Sequence, residues 1–360
     1  MSTSAQRPQP LTPTFNGEDP NDNLSTTVIA AGCKILAELY ELYKKGWEDP
    51  GLDAHFQGWK RVSAQRSTFE TAISWLKTYC KSMHDMNRQT EFIPDGPLNF
   101  LDLGCAPGGY SKCVLETNPS AVGTGVCLPV NEGGLLFMLP KYMRDRYTVH
   151  YADMTKYNLR KGGRDGYPYP PPFQPASFDL VIADGHPLHT REYTARIAHI
   201  LVVTQLIITI NAVKEGGTIF IKLSKFASFN TACALYLLDS ICSSLETIKP
   251  RTVHANRGTF YAIARRVQRG EALRGCLNVL HQIRQDLLEN ALDAGSIPRV
   301  YERITTLEQL KECYIPRLIE LGTPVWEVQK EHLDWFIRNK GSGGSPKEEL
   351  QGEPDIQGHD

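Results

Sequence analysis

The sequence carries no surplus of charge: 39 Lys and Arg against 40 Asp and Glu leave a formal net charge of −1 over 360 residues. A uniformly basic nucleic-acid binder is thereby excluded, because phosphate contacts supply most of such a protein's affinity. Any cationic surface has to be local. No apolar run approaches the length of about 20 residues needed to cross a bilayer. The most apolar stretch, 200–210, is interrupted by Thr204, Gln205 and Thr209. The first residues lack the basic and apolar regions of a secretory signal, and Pro8, Pro10 and Pro13 break any amphipathic presequence around Arg7. The nine cysteines show no paired C-x-x-C spacing, so neither a metal site nor a disulfide framework is indicated. Reduced thiols in an intracellular protein, cytoplasmic or nuclear rather than mitochondrial, are expected.

What is present divides the chain. Residues 1–25 are rich in Ser, Thr, Pro, Asn and Asp and read as disordered. Val28, Ile29, Ile35, Leu36, Leu39 and Leu42 fall at helical spacing and predict a helix from Thr26 to about Lys45. A second helix is expected from Ser63 to about Met86. Strands follow at Asn99–Leu103, Ala121–Leu128, Thr148–Tyr151, Phe178–Ala183 and Thr218–Leu223, alternating with helices, the clearest being Glu192–Val213 with Gly216-Gly217 as its cap. This alternation signals a doubly wound α/β sheet. Residues 160–175, rich in Pro and Gly, form a rigid polar loop with no place in that sheet. After a helix at Asn230–Ser244, strands at Thr247–Thr252 and Thr259–Val267 are expected to pair as an antiparallel hairpin at the sheet edge. Residues 270–338 read as wholly helical, with one apolar stripe from Leu273 to Leu288 and a second from Leu307 to Ile319. The organisation is therefore a disordered 1–25, N-terminal helices over 26–90, a core domain over 91–268, a helical extension over 269–339 and a flexible tail over 340–360.

The densest signal is residues 99–116. A buried strand, Phe100-Leu101-Asp102-Leu103, runs into Gly104-Cys-Ala-Pro-Gly-Gly109 and then a helix beginning near Ser111. Such a turn brings bare backbone N–H groups and a helix N-terminus against a ligand. The turn spells neither the dinucleotide fingerprint G-x-G-x-x-G nor a phosphate loop ending in Gly-Lys-Ser/Thr. Asp-Leu-Gly-x-x-Pro-Gly-Gly-aromatic-Ser instead resembles the S-adenosylmethionine loop of the FtsJ-like ribose 2′-O-methyltransferases, a likeness that extends over Ser63–Val267. It implies a Rossmann-like methyltransferase sheet, S-adenosylmethionine as cofactor, and RNA methylation, ribosomal RNA processing included, as the activity. It also implies donor binding by Asp102, Gly104, Pro107, Gly108, Gly109 and Tyr110, with Cys127 at the ribose position, Asp153 at the adenine and Asp184 at the reacting end. Cys127 departs from the family's Asp, and a thiol cannot accept two hydroxyl hydrogen bonds as a carboxylate does.

Lys222 follows four apolar strand residues and is costly to bury unless paired. Asp184, ending the neighbouring strand, is the expected partner. In the family these positions belong to a Lys-Asp-Lys-Glu tetrad that deprotonates a ribose 2′-hydroxyl. Lys77 is the candidate for the first lysine, with Lys81 and the more remote Lys60 as alternatives; Thr259 stands where the family has the glutamate. His186 is a possible substitute acid–base group. The segment Lys249, Arg251, Arg257, Arg265, Arg266 and Arg269, with no acid between Lys249 and Arg269, is read as the RNA-facing patch. A protein partner is left open. The competing reading, prompted by Cys127, Thr259 and the near-neutral charge, is a methyltransferase fold that has lost catalysis and serves as a binding or scaffolding module.

Overall fold

The computed structural model describes residues 20–47, 68–159, 169–187, 194–289 and 295–339. Residues 1–19, Lys60 and most of the 160–175 loop lie outside the described residues, whereas residues 20–25, expected within a disordered start, are helical and bury Leu24 and Ser25. Helices α1 (Pro20–Ala30), α2 (Lys34–Trp47) and α3 (Phe69–Thr90) precede the sheet. The single helix expected over 26–45 is two, because Gly32 at φ 96 turns the chain between α1 and α2. The Thr68 hydroxyl caps α3 by accepting from Thr71 N–H at 3.2 Å, and left-handed Glu91 ends it.

From there the chain alternates: β1 (Leu98–Leu103), α4 (Gly109–Thr117), β2 (Ala121–Cys127), β3 (Tyr147–Tyr151), β4 (Phe178–Ala183), α5 (Ala195–Ala212), β5 (Val213–Ser224), α6 (Phe229–Ser240), β6 (Cys242–Ile248) and β7 (Thr259–Val267). The seven strands form one sheet in the order β3-β2-β1-β4-β5-β7-β6. All pairings are parallel except β5–β7 and β6–β7, so the expected antiparallel edge is present. β7 lies between β5 and β6. Two strand boundaries differ from expectation. β5 starts at Val213, directly at the end of α5, and Gly216-Gly217 lie in a register shift between the pairs Phe178↔Val213 and Leu180↔Thr218. β6 begins at Cys242 and stops before Pro250, whose missing N–H cannot enter a ladder. Tyr169, in the loop expected to avoid the sheet, makes an isolated bridge to Tyr157 outside the seven strands.

Strand alternation sorts the core into two faces. Leu101, Leu103, Val181, Ile219, Ile221, Phe260 and Ala262 pack toward α1, α2, α5 and α6. Phe100, Leu180, Ile182, Phe220, Tyr261 and Ile263 pack toward α3 and α4. The two-residue period therefore carries Asp102, Asp184 and Lys222 onto the α3–α4 face, at the carboxyl ends of their strands. The extension consists of α7 (Glu271–Glu289), α8 (Ile297–Tyr301), α9 (Leu307–Cys313) and α10 (Ile315–Asn339). Its buried residues, Leu280, Ile283, Leu318 and Val325 among them, join the first core cluster, on the face away from Lys222. Against the expectation from 200–210, α5 is long and apolar enough, by length and composition, to cross a membrane. In this fold it is a core helix, with Val203, Leu206 and Ile207 buried against the sheet.

Candidate active site

The donor loop is built on close approaches that only glycine permits. Gly104, at φ 84, lies so near the turn after β4 that a Cβ would fall 2.5 Å from Gly185 Cα. A Cβ on Gly109 would sit 2.7 Å from Leu76 O of α3. Gly108, at φ 111, is the N-cap of α4 and offers no side chain to its first N–H groups. That helix start is a positive backbone end turned toward the crevice. Asp102 is only 1% exposed and braces the loop from behind, with its Oδ2 2.5 Å from Ser111 Oγ. Ser111 Oγ also lies 2.7 Å from Tyr147 Oη. Gly125 makes room for that phenol, since a Cβ there would stand 2.0 Å from it. Burial, opposed by the Ser111 hydrogen bonds and aided by the Asp184 charge, pushes the Asp102 carboxyl up to about 7.

A second hydrogen-bonded set gathers around Lys222 and Asp184. Lys222 Nζ stands 2.9 Å from Asp184 Oδ1 and donates to the Asp184 carbonyl at 2.6 Å, and both side chains are 15% exposed. His186 Nδ1 is 3.4 Å from the same amine. Tyr261, directly opposite Lys222 in the β5–β7 register, donates its hydroxyl to Asp184 Oδ1 at 3.0 Å. Tyr110 Oη lies 2.5 Å from Tyr261 Oη. Because Tyr261 gives its proton to the carboxylate, Tyr110 is the donor to Tyr261. Burial and the Asp184 charge hold both phenols well above the usual tyrosine range, so they remain donors. A relay thus runs from the donor loop through Tyr110, Tyr261 and Asp184 to Lys222. Sequence reasoning expected Tyr110 as a donor residue and missed Tyr261; the signal was its place two residues after Thr259, on the inward face of β7.

The structure brings the expected Asp184 and Lys222 together and separates others. Lys77 is exposed on α3 with no contact to the pair among the described residues; it is Tyr79, two residues on, that meets Tyr110, with ring centroids 5.8 Å apart. Lys81 is exposed as well. Thr259 lies opposite Ser224, and its carbonyl accepts from Lys249 Nζ at 2.6 Å. Asp153 follows β3 beside Cys127, since Ala152 N–H donates to Cys127 O at 2.9 Å. Its carboxylate caps a short turn, accepting from Thr155 N and Oγ1 at 3.0 and 2.6 Å. Cys127 is buried, next to Cys105.

Only half of the expected basic patch is exposed, namely Arg251, Arg257 and Arg266. Lys249, 2% exposed, donates to the carbonyls of His254, Arg257 and Thr259. Arg265 bonds Glu246 Oε1 at 2.7 Å and the end of α3, and Arg269 donates to the carbonyls of Ile210, Asn211 and Val213. Arg251 pairs with Glu331 at 2.6 Å. The acids missing from the segment arrive from elsewhere in the fold. Arg257 and Arg266 alone of the six stay exposed without a carboxylate partner among the described residues. Contrary to the cysteine spacing, Cys80, His84 and Glu116 gather ligating atoms within 4.8 Å of one another. Lys112 Nζ, 2.5 Å from Glu116 Oε1 and 3.7 Å from Cys80 Sγ, takes the place of a cation there.

The N-terminus of α4, without a side-chain cap and beside the Gly104–Gly185 approach, fits the carboxylate of an amino-acid moiety. Cys127, at the end of β2, presents one buried thiol. The FtsJ-like methyltransferase family model matches residues 81–267, just over half of the chain. Among curated proteins, none matches in sequence. Similar solved structures include a protein described as a ribosomal RNA methyltransferase from Plasmodium falciparum, 16% identical, covering 52% of this chain and 96% of its own, at a TM-score of 0.38. Another is described as an S-adenosyl-L-methionine-dependent methyltransferase from Methanococcus maripaludis, 13% identical over 57% of this chain and 98% of its own, at 0.34. A third, described as an O-methyltransferase from Agrobacterium tumefaciens, is 16% identical over 49% of this chain and 77% of its own, at 0.33. At these scores the structural likenesses carry no functional argument.

Proposed function

The chain belongs to the FtsJ-like methyltransferase family, whose cofactor is S-adenosylmethionine, and from that premise we propose that it methylates a ribose 2′-hydroxyl of RNA. The observation that carries the reading is the Lys222–Asp184 pair at 2.9 Å, on the same sheet face as the donor loop. Bound in the crevice, the sulfonium supplies an electrophilic methyl group and leaves as a neutral thioether. The chain's own residues supply the base. As a neutral amine, Lys222 has two N–H bonds, and Asp184 presents two oxygens to take them, its carbonyl and Oδ1. The lone pair then points in a remaining tetrahedral direction and accepts the hydroxyl proton as the O–C bond forms and the S–C bond breaks. Tyr261 takes a share of the carboxylate's charge by donating to Oδ1. One lysine balanced by one carboxylate needs no further acid, which accounts for Thr259 in a site where Lys77 makes no contact. Exposed Lys77, Lys81 and Arg257 would meet the RNA backbone.

Transfer of labelled methyl from S-adenosylmethionine to total RNA, with 2′-O-methyl nucleosides identified after digestion, tests this. The wild-type protein should label RNA and Lys222→Ala should lose at least 100-fold, in the range of a removed general base of about 10²–10⁴. Equal labelling by the two proteins rejects the proposal. The second reading, a binding module without turnover, is favoured by the inward-directed basic residues and Cys127. Calorimetry separates the two: donor binding without transfer to any RNA would support the module.

A further inference from the structure

Between β6 and β7 the chain makes a loop, 249–258, of which the catalytic scheme above uses only exposed Arg257. A buried ammonium is spent on holding it: Lys249 Nζ donates to His254 O at 3.0 Å, Arg257 O at 2.6 Å and Thr259 O at 2.6 Å. Three protons meet three carbonyls of one loop. His254 itself sits at φ 58, a left-handed backbone that is uncommon outside glycine and that histidine enters more readily than most residues. Arg257 N–H closes the turn on the His254 carbonyl at 2.9 Å.

All of this fixes where one imidazole points. The His254 ring is half-buried, its centroid 6.4 Å from that of Tyr79 and tilted 43° to it. Neither ring nitrogen has a hydrogen-bond partner among the described residues. Burial first, then the charges of Lys222 and Arg257, with His186 and Lys249 behind them, hold this histidine well below its usual range. It is therefore a neutral ring with one donor and one acceptor to offer. A phosphate would call for a cation. A nucleobase edge presents donors and acceptors side by side and a flat face to stack, which is what a neutral imidazole beside a tyrosine ring can read.

We propose that His254, with Tyr79 as its stacking neighbour, reads the base of the nucleotide whose 2′-hydroxyl is placed at Lys222. The inference rests on the ribose methyltransferase reading above. His254 lies within charge range of both Lys222 and His186, where a nucleotide with its hydroxyl at Lys222 would present its base. His254 is a positioning and specificity residue; it touches the acceptor nucleoside and moves no proton.

The left-handed backbone decides which variants test it. Glycine and asparagine both tolerate that conformation, so His254→Gly removes the ring while sparing the loop, and His254→Asn keeps one donor and one acceptor. Methyl transfer is measured on RNA oligonucleotides that differ only at the methylated nucleotide, alongside donor affinity by calorimetry. Expected for His254→Gly is a KM for RNA raised about tenfold, the worth of one to two hydrogen bonds. Donor affinity should stay within twofold, and the ranking of the four nucleotides should flatten. His254→Asn should recover part of both. A wild-type enzyme that methylates RNA, with a glycine variant of unchanged KM and unchanged ranking, overturns the role of His254 and leaves the activity standing. A wild-type protein that binds donor and labels no RNA removes the activity and this inference together.

Discussion

Replacing Asp102 by Asn should make the donor-free protein more stable at neutral pH, against the usual direction for changes in a glycine-loop motif. The carboxyl is 1% exposed and its pKa is raised from 3.8 to about 7. An unfolded chain ionises this group near 4, whereas the folded one keeps it protonated until about 7. Between those values the folded state binds the extra proton, so stability falls as pH rises, by at most about 1.4 kcal/mol per pH unit. The contribution is fully present below about 4 and gone above about 7. Three units correspond to about 4 kcal/mol as an upper bound. The amide keeps a hydrogen bond to Ser111 but loses the charge-assisted one, about 1 kcal/mol of which should be forfeited. The net expectation is Asp102→Asn more stable by about 2–3 kcal/mol at pH 8 and level with the wild type, or slightly below it, at pH 4.5. Urea unfolding of both proteins from pH 4.5 to 8.5 measures the difference directly. A difference that does not change with pH refutes the argument, because it would mean that Asp102 is equally ionised in the folded and unfolded chains.

Tyr261→Phe should lower kcat about tenfold while leaving donor affinity unchanged, since it removes the phenol that shares Asp184 Oδ1 with Lys222; steady-state kinetics at saturating donor decide it. Gly104→Ala should destabilise by about 2–4 kcal/mol and abolish donor binding, because the new methyl meets Gly185 Cα at 2.5 Å on a backbone at φ 84; thermal unfolding and calorimetry read the two effects. Lys249, pushed down by burial to about 7, loses its proton in the folded chain before the unfolded one does. Its contribution makes stability rise between about pH 7 and 10.5. Lys249→Met should erase that rise and, by leaving three carbonyls without a donor, speed hydrogen exchange at residues 254–259.

The fold was legible because its strands are apolar runs ended by glycine turns, and because the Asp-Leu-Gly-x-x-Pro-Gly-Gly loop has few other uses. Asp184 and Lys222 were legible for a physical reason too: a lysine inside a strand demands a partner one strand away. The arginine patch misled in part because the sequence shows which charges are neighbours along the chain, and Glu246 and Glu331 meet Arg265 and Arg251 only in space, as Glu215 meets the Arg269 N–H. His254 left no trace at all. Its importance lies in a backbone angle and in the carbonyls gathered by Lys249, neither of which a residue type announces. Helix breaks such as Gly32 were hidden in the same way, since apolar spacing continued across them.

The insertion of β7 between β5 and β6 has a consequence for synthesis. During translation β6 emerges before β7, yet its permanent place is outside it. Until residue 267 has left the ribosome, β5 presents an open edge, and Lys222 faces Asp184 without the phenol that completes the set. An early β5–β6 pairing would have to be undone to admit β7. Nascent chains of this protein should thus depend on chaperones late, at the last strand of the domain, and the Lys222–Asp184–Tyr261 set should be the final part of the sheet to mature.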